Sequence, residues 1–203
     1  MADDTKDRLV FIALQLFSEK GYESTSVADI LRAARANSGS LYHFFPTKQD
    51  LLLEVLRRYR DGIVPMLLEP AWSGVDDPIE RVFALLAAYR RSLALTECTY
   101  GCPIGSLALE IHEPDPSVRE LLAVNFDGWV GHVEKCFAAA GDRLPADCDR
   151  QGLAVLTLNV MEGGVMQART YRDLRTFDTS VAMLRDYIGR LEQEAANAKG
   201  GKQ

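Results

Sequence analysis

Thr25-Ser26-Val27-Ala28-Asp29-Ile30, followed by Ser38-Gly39-Ser40-Leu41-Tyr42-His43-Phe44-Phe45-Pro46-Thr47-Lys48-Gln49-Asp50-Leu51, is the stretch on which the fold turns. Ser26 with Asp29 three residues on makes a capping-box pair that starts a helix, and Val27, Ile30 and Ala34 form its short apolar face. Asn37 is a good N-cap for the next helix. Pro46 limits that helix to about two turns, because a residue before proline avoids helical backbone. Thr47 with Asp50 repeats the box and opens a fourth helix. Upstream, Leu9, Ile12, Ala13, Leu16 and Phe17 share one helix face, and Gly21 ends it. Three helices with a tight link between the second and third match helix-turn-helix geometry.

The third helix is the candidate reader of a DNA groove. Ser38, Gly39 and Ser40 fill its first turn, and small side chains let backbone approach base edges and phosphates. Tyr42 and His43 lie beside them, while Leu41 and Phe45, four apart, pin the other face. Lys48 sits in the first turn of the fourth helix, where the macrodipole disfavours a cation by ~0.3–1 kcal/mol. That cost is understandable if a phosphate is held there by the ammonium and the helix-end N–H groups. Thr25 and Ser26 offer a second such anchor.

On these residues the chain resembles the TetR family of transcriptional regulators over about residues 8–55. The resemblance implies a homodimer with one reader per subunit, a near-palindromic double-stranded DNA operator, and release when a small molecule enters the C-terminal domain. It implies DNA contacts at Ser38, Ser40, Tyr42, His43 and Lys48. One position departs: Arg35 stands in the turn where the family has glycine. If that backbone is left-handed, arginine costs ~1–2 kcal/mol relative to glycine, which a phosphate contact can offset. The candidate DNA-binding set is therefore Thr25, Ser26, Arg35, Ser38, Gly39, Ser40, Tyr42, His43 and Lys48.

Charge distribution agrees with that reading better than the net charge of −6 suggests. From Ile30 to Gln49 there is no acid, while Arg32, Arg35 and Lys48 are present. Residues 1–48 carry six basic and six acidic side chains, and residues 49–203 carry 17 and 23, so the remainder holds the whole excess. A local cationic face on an acidic body suits phosphate contact. The N-terminus MADDTKDRLV does not read as a secretory leader, and no apolar run reaches the ~18 residues of a membrane span. The expectation is a cytoplasmic, nucleoid-associated protein without a membrane partner.

Beyond the reader every long segment has helical period. An all-α chain of about nine helices is expected, with residues 1–50 as DNA-binding domain, 51–196 as effector-binding and dimerisation domain, and 197–203 as a disordered tail. A long helix from Thr47 to Trp72 is expected to kink at Pro65. Further helices are expected over Pro78–Leu95, Pro103–Ile111, Pro116–Ala140, Asp147–Tyr171 and Phe177–Ala196.

The last two helices carry apolar stripes, Leu153, Leu156, Val160 and Gly164 on one and Val181, Leu184, Ile188 and Leu191 on the other. They fit either a four-helix dimer interface or packing within one chain. Phe83, Leu86, Tyr89, Arg90, Cys102, Leu107, Ile111, Phe126, Trp129, Met161, Val165 and Met166 are candidate lining for an effector pocket, or plain core. Arg90 is a candidate partner for an effector carboxylate. The segment Tyr100 to Glu110 is similar to the branch of the family that includes NemR and AcuR, which implies a response to electrophiles, oxidants or small unsaturated acids and a redox-responsive thiol at Cys102; a packing thiol is the alternative. Cys98, Cys102 and His112 lack an evident fourth ligand, so no metal and no cofactor are expected. No nucleophile elbow or phosphate loop is present, and catalysis is not expected.

Overall fold

Proline and short polar side chains mark where most helices begin. The computed structural model describes residues 2–111 and 115–200, and its regular elements are helical throughout. They are α1 (Ala2–Lys20), α2 (Val27–Ala34), α3 (Ser38–Phe44), α4 (Lys48–Ile63), α5 (Glu69–Trp72), α6 (Pro78–Leu95), α7 (Pro103–Glu110), α8 (Pro116–Ala139), α9 (Arg150–Tyr171) and α10 (Arg175–Gly200). Pro78, Pro103 and Pro116 each take the first helical position, where a missing N–H costs nothing. Asp77 caps α6 by accepting from the N–H groups of Ile79 and Glu80, and Asp149 caps α9 by accepting from Gly152.

Between α4 and α5 lies a π turn, Val64–Leu68, around Pro65. Proline has no N–H for the carbonyl four residues back, so the ladder breaks there instead of merely bending. Counted as one interrupted helix, α4 to α5 brings the described elements to the expected nine. At the other end the expectation fails: α10 continues to Gly200, so residues 197–200 are helical, not disordered. Lys199 sits in its last turn, where the helix dipole favours a cation, and pairs with Asp142 at 2.7 Å. Residues 201–203 of the expected tail lie outside the described residues.

Contacts divide the chain into two units. The first comprises residues 1–63 and 100–126, so it takes in α7 and the start of α8 as well as the reader. In it α1 packs against α2, α3, α4 and α7. Leu9, Ala13, Phe17, Ile30, Leu41, Leu51, Leu52 and Leu56 are fully buried, the larger side chains each contributing about 1.5–3 kcal/mol of apolar transfer. The buried Asn125 amide donates to the carbonyls of Leu56 and Leu121.

The second unit comprises residues 64–99 and 127–203. Its α9 and α10 pack closely where Gly164 meets the Phe177 ring; a Cβ on Gly164 would stand 2.8 Å from Phe177 Cδ2. Leu153, Gly164, Leu184 and Ile188, expected to face a second subunit, are buried inside the monomer instead. Val160, Val181 and Leu191 are half-buried. The outward apolar side chains are Val155, Leu156, Met166 and Tyr171 on α9 and Met183 and Tyr187 on α10, all at least 40% exposed. The α9 sequence is apolar on most sides, so its stripe has no unique phase.

Of the expected pocket residues, Phe83, Leu86, Tyr89, Trp129, Met161 and Val165 are buried in the second unit, and Cys102 and Leu107 in the first, with Ile111 and Phe126 of the first half-buried. Two are corrected. Met166 faces outward. Arg90 is exposed and spans the Asp178 carboxylate with two hydrogen bonds, at 2.6 and 2.8 Å, so its guanidinium already has its carboxylate. Arg185 is bidentate to Glu80 and stacks 3.7 Å from the Phe83 ring centroid. Trp129 Nε1 donates to the Tyr89 hydroxyl at 3.2 Å, which lets both aromatics be buried with their polar ends engaged.

Cys98, Cys102 and Cys136 are buried thiols, and burial pushes the thiols of Cys136 and Cys148 upward. Cys98 adopts a left-handed backbone, and its carbonyl accepts from Arg172 at 3.0 Å. His112 lies outside the described residues. No helix among the described residues is long and apolar enough to cross a membrane.

Candidate nucleic-acid interface

The reader is built by three successive side-chain caps. Ser26 and Asp29 complete a reciprocal box at α2, as the spacing predicts: the Asp29 N–H donates to Ser26 Oγ at 3.1 Å and the Ser26 N–H donates to Asp29 Oδ2 at 3.2 Å, with the Ser26 hydroxyl donating to the same oxygen at 2.6 Å. These bonds hold the Asp29 carboxyl below the usual carboxylate range. Asn37 Oδ1 accepts from the Ser40 N–H at 2.8 Å and starts α3. Thr47 and Asp50 repeat the box ahead of α4.

The link from α2 to α3 is only Arg35, Ala36 and Asn37. Arg35 has φ 48° and ψ 45°, the left-handed conformation anticipated for the family's glycine. Its N–H donates to Arg32 O, and the Ala36 N–H reaches Leu31 O at 3.0 Å. This is a Schellman termination with arginine in the glycine place. The turn geometry is therefore kept at a conformational cost, and the Arg35 side chain is exposed.

α3 presents one face outward. Leu41 is 0% exposed and Phe45 3%, so two anchors four apart fix the helix to the core. Ser38, Gly39, Tyr42 and His43 are exposed on the opposite side and Ser40 is half-buried. Tyr42 is 51% exposed. A tyrosine ring held open to solvent beside serines and a glycine offers stacking area, hydroxyl donors and close backbone approach together, which is what groove contact needs.

Two expected contacts are placed differently. Thr25 is wholly buried, and its hydroxyl donates to Gly21 O at 2.6 Å. It ties the end of α1 and has no exposed oxygen for a phosphate. Lys48 is half-buried, and its ammonium does not simply stand at the α4 N-terminus. It donates to Tyr22 O at 2.6 Å and lies 4.0 Å from the Tyr22 ring centroid. Burial lowers its pKa, and the negative charges of Glu23 and Glu110 oppose that shift. Burial also raises the Tyr22 phenol, with Glu23 adding to it. Ser26 is exposed, though its hydroxyl is engaged with Asp29.

Sequence reasoning missed Tyr22 and Glu110. Glu110, at the end of α7, accepts from the N–H groups of Tyr22 and Glu23 at 2.8 Å each. Nothing local to position 110 signals this, because its partners lie far back in the chain.

Comparison with known proteins follows the same geometry. Residues 12–55 match the family profile of bacterial regulatory proteins of the tetR family. Residues 78–183 match the profile of the C-terminal domain of LmrA/YxaF-like transcriptional regulators. An uncharacterised HTH-type transcriptional regulator of Mycobacterium tuberculosis is 31% identical over 189 residues, covering 90% of this chain and 93% of that one. The crystal structure of a regulatory protein TetR from Rhodobacter sphaeroides superposes with a TM-score of 0.80 at 27% identity, covering 88% of this chain and 95% of the other. A cysteine mutant of the TetR family regulator CifR, solved with a 26-base-pair double-strand operator DNA, superposes with a TM-score of 0.70 at 25% identity over 88% of this chain and 95% of that one.

Proposed function

The chain belongs to the TetR family of bacterial regulatory proteins, as a DNA-binding transcriptional regulator and not an enzyme, and from that premise we propose that it acts as a homodimeric repressor released from a palindromic operator by a small molecule. The observation that carries the proposal is the outward face of α3. Four of its side chains, those of Ser38, Ser40, Tyr42 and His43, are presented by a two-turn helix whose Leu41 and Phe45 are locked in the core. Arg35 and Lys48 flank that face as phosphate contacts, Arg35 from an exposed turn and Lys48 from an ammonium with two N–H donors left after Tyr22 takes one. The operator of the CifR complex is double-stranded DNA, and the same class of site is proposed here.

Dimerisation is assigned to the outward side of α9 and α10, through Leu156, Met166, Met183 and Tyr187, because these are large apolar side chains left on the surface of long helices. The effector is assigned to the second unit, where buried apolar and aromatic side chains surround the Trp129–Tyr89 hydrogen bond. A mostly hydrophobic molecule oriented by a few polar groups fits that lining. An electrophile acting separately, on Cys102 of the first unit, is a second candidate, and a thermal-shift screen comparing wild type with Cys102→Ser in thiol-reactive compounds tests it. Identical shifts for the two proteins remove the thiol from the mechanism.

The deciding experiment is DNA binding by anisotropy, with the gene's own upstream region against random duplex at several salt concentrations. Expected are preference for the upstream DNA and affinity falling steeply with salt. Lys48→Ala should weaken binding to all sequences and lower the salt slope by about one. Changes at Ser38 or Ser40 should shift sequence preference. Equal affinity for random DNA sinks the operator, and upstream DNA whose transcription rises on adding protein sinks repression.

A further inference from the structure

A single peptide group joins two charged side chains from distant parts of the first unit. Glu110 Oε1 accepts from the Glu23 N–H at 2.8 Å, and the carbonyl of that same peptide, Tyr22 O, accepts from Lys48 Nζ at 2.6 Å. Glu110 Oε2 takes the neighbouring Tyr22 N–H at 2.8 Å. We propose that Glu110 is a positioning residue for DNA binding, acting on Lys48 through the Tyr22–Glu23 peptide. The proposal rests on the reading of Lys48 as a phosphate contact.

A hydrogen bond to an ionised group is about twice as strong as a neutral one. Here a carboxylate pulls on the N–H of a peptide and an ammonium pulls on its C=O. Each bond polarises the amide in the sense that strengthens the other. The turn therefore sits at one height over α4, and the Lys48 chain, lying along the Tyr22 ring, is held in one direction. Two adjacent N–H groups converging on one carboxylate form an anion cradle, and the protein's own side chain fills it. Gly21 makes room for this. Its φ of +88° is left-handed, and a Cβ there would lie 2.6 Å from Glu110 Oε1. Glycine is thus required at that position by its backbone angle, and a Cβ there would also push the Glu110 carboxylate off its two amides.

The alternative role for Glu110 is that of a plain negative charge near the DNA-facing lysine. The two roles predict opposite signs. Glu110→Gln is nearly isosteric, removes the charge, and leaves one acceptor oxygen for two amides. If charge alone mattered, the variant would bind DNA more tightly. A positioning role predicts weaker binding, by about three- to tenfold given the strength of charge-assisted bonds. Glu110→Asp keeps the charge and withdraws the oxygens by one methylene, so it should weaken binding in the same direction.

The experiment measures operator affinity for wild type, Glu110→Gln, Glu110→Asp, Lys48→Ala and the Glu110→Gln/Lys48→Ala double variant. Amide exchange at Tyr22 and Glu23 and thermal unfolding are followed in parallel. Expected are faster exchange at those two amides, retained folding, and a double variant that binds no worse than Lys48→Ala alone. Tighter binding by Glu110→Gln, or losses that multiply in the double variant, overturns the proposal. A wild-type protein that binds no DNA overturns the regulator reading and this proposal with it. Wild-type binding with multiplied losses overturns only the role of Glu110.

Discussion

Replacing Arg35 by glycine should make the protein more stable and a poorer DNA binder at once. Arg35 holds φ 48° and ψ 45° at the end of α2, a conformation that costs an L-residue about 1–2 kcal/mol. Glycine removes that cost but frees the unfolded chain, which returns about 0.5–1 kcal/mol. The net gain is therefore about 0.5–1 kcal/mol, or ~1–4 °C in Tm for a chain of this size. Both turn hydrogen bonds, Arg35 N–H to Arg32 O and Ala36 N–H to Leu31 O, are backbone bonds and survive the change. The loss of the exposed guanidinium removes one phosphate contact, which lowers the slope of log K against log salt by ~0.9. Arg35→Ala separates the two effects: it keeps the strained backbone and removes the charge, so its Tm should match wild type while its slope falls as for glycine. Thermal unfolding and a salt series of anisotropy titrations measure both. A lower Tm for Arg35→Gly refutes the strain argument, and an unchanged slope in both variants refutes the phosphate contact.

Gly164→Ala should destabilise by about 1–3 kcal/mol through overpacking on Phe177, whereas Gly128→Ala, whose Cβ meets nothing within 4 Å, should stabilise α8 by up to ~1 kcal/mol; denaturant midpoints of the same sign for both would contradict this. Burial, with Lys135 adding to it, lowers the pKa of His132, which packs edge-on to Trp72. The unfolded chain then takes up the proton first as pH falls, so stability should decline from about pH 6.5 downward. His132→Gln should shrink the decline seen in unfolding at pH 7.5 and 5.5, and an unaltered profile would assign the loss to other groups. Tyr187→Glu should shift the protein from dimer to monomer in light scattering, because it places a charge in the proposed interface; an intact dimer would move that interface elsewhere.

Local chemistry made much of the fold legible. The box at Ser26 and Asp29, the caps at Asn37 and Thr47, and the prolines at 78, 103 and 116 act on neighbours within a few residues, and the structure has a helix start at each. The outward and inward faces of α3 followed from the Leu41–Phe45 spacing in the same way. Side-chain destinations that depend on distant partners were not legible. Thr25 looks like a helix-start residue until Gly21 O claims its hydroxyl, and Lys48 looks like a free cation until Tyr22 is beneath it. On α9, Leu153 and Leu156 are both leucines three apart, yet one is 5% exposed and the other 40%. Only packing against α10 decides which faces in.

Gly21 and Glu110 constrain each other's inheritance. A side chain at position 21 collides with the long carboxylate at 110, and shortening residue 110 leaves two amides without their acceptor. Either substitution alone is therefore a step downhill, and the double change does not escape, because position 21 keeps its left-handed backbone and the two amides stay without their acceptor. Across descendants of this chain the two should be kept together, and a lineage that has exchanged the glycine should have rebuilt the turn between α1 and α2 as well as lost the glutamate.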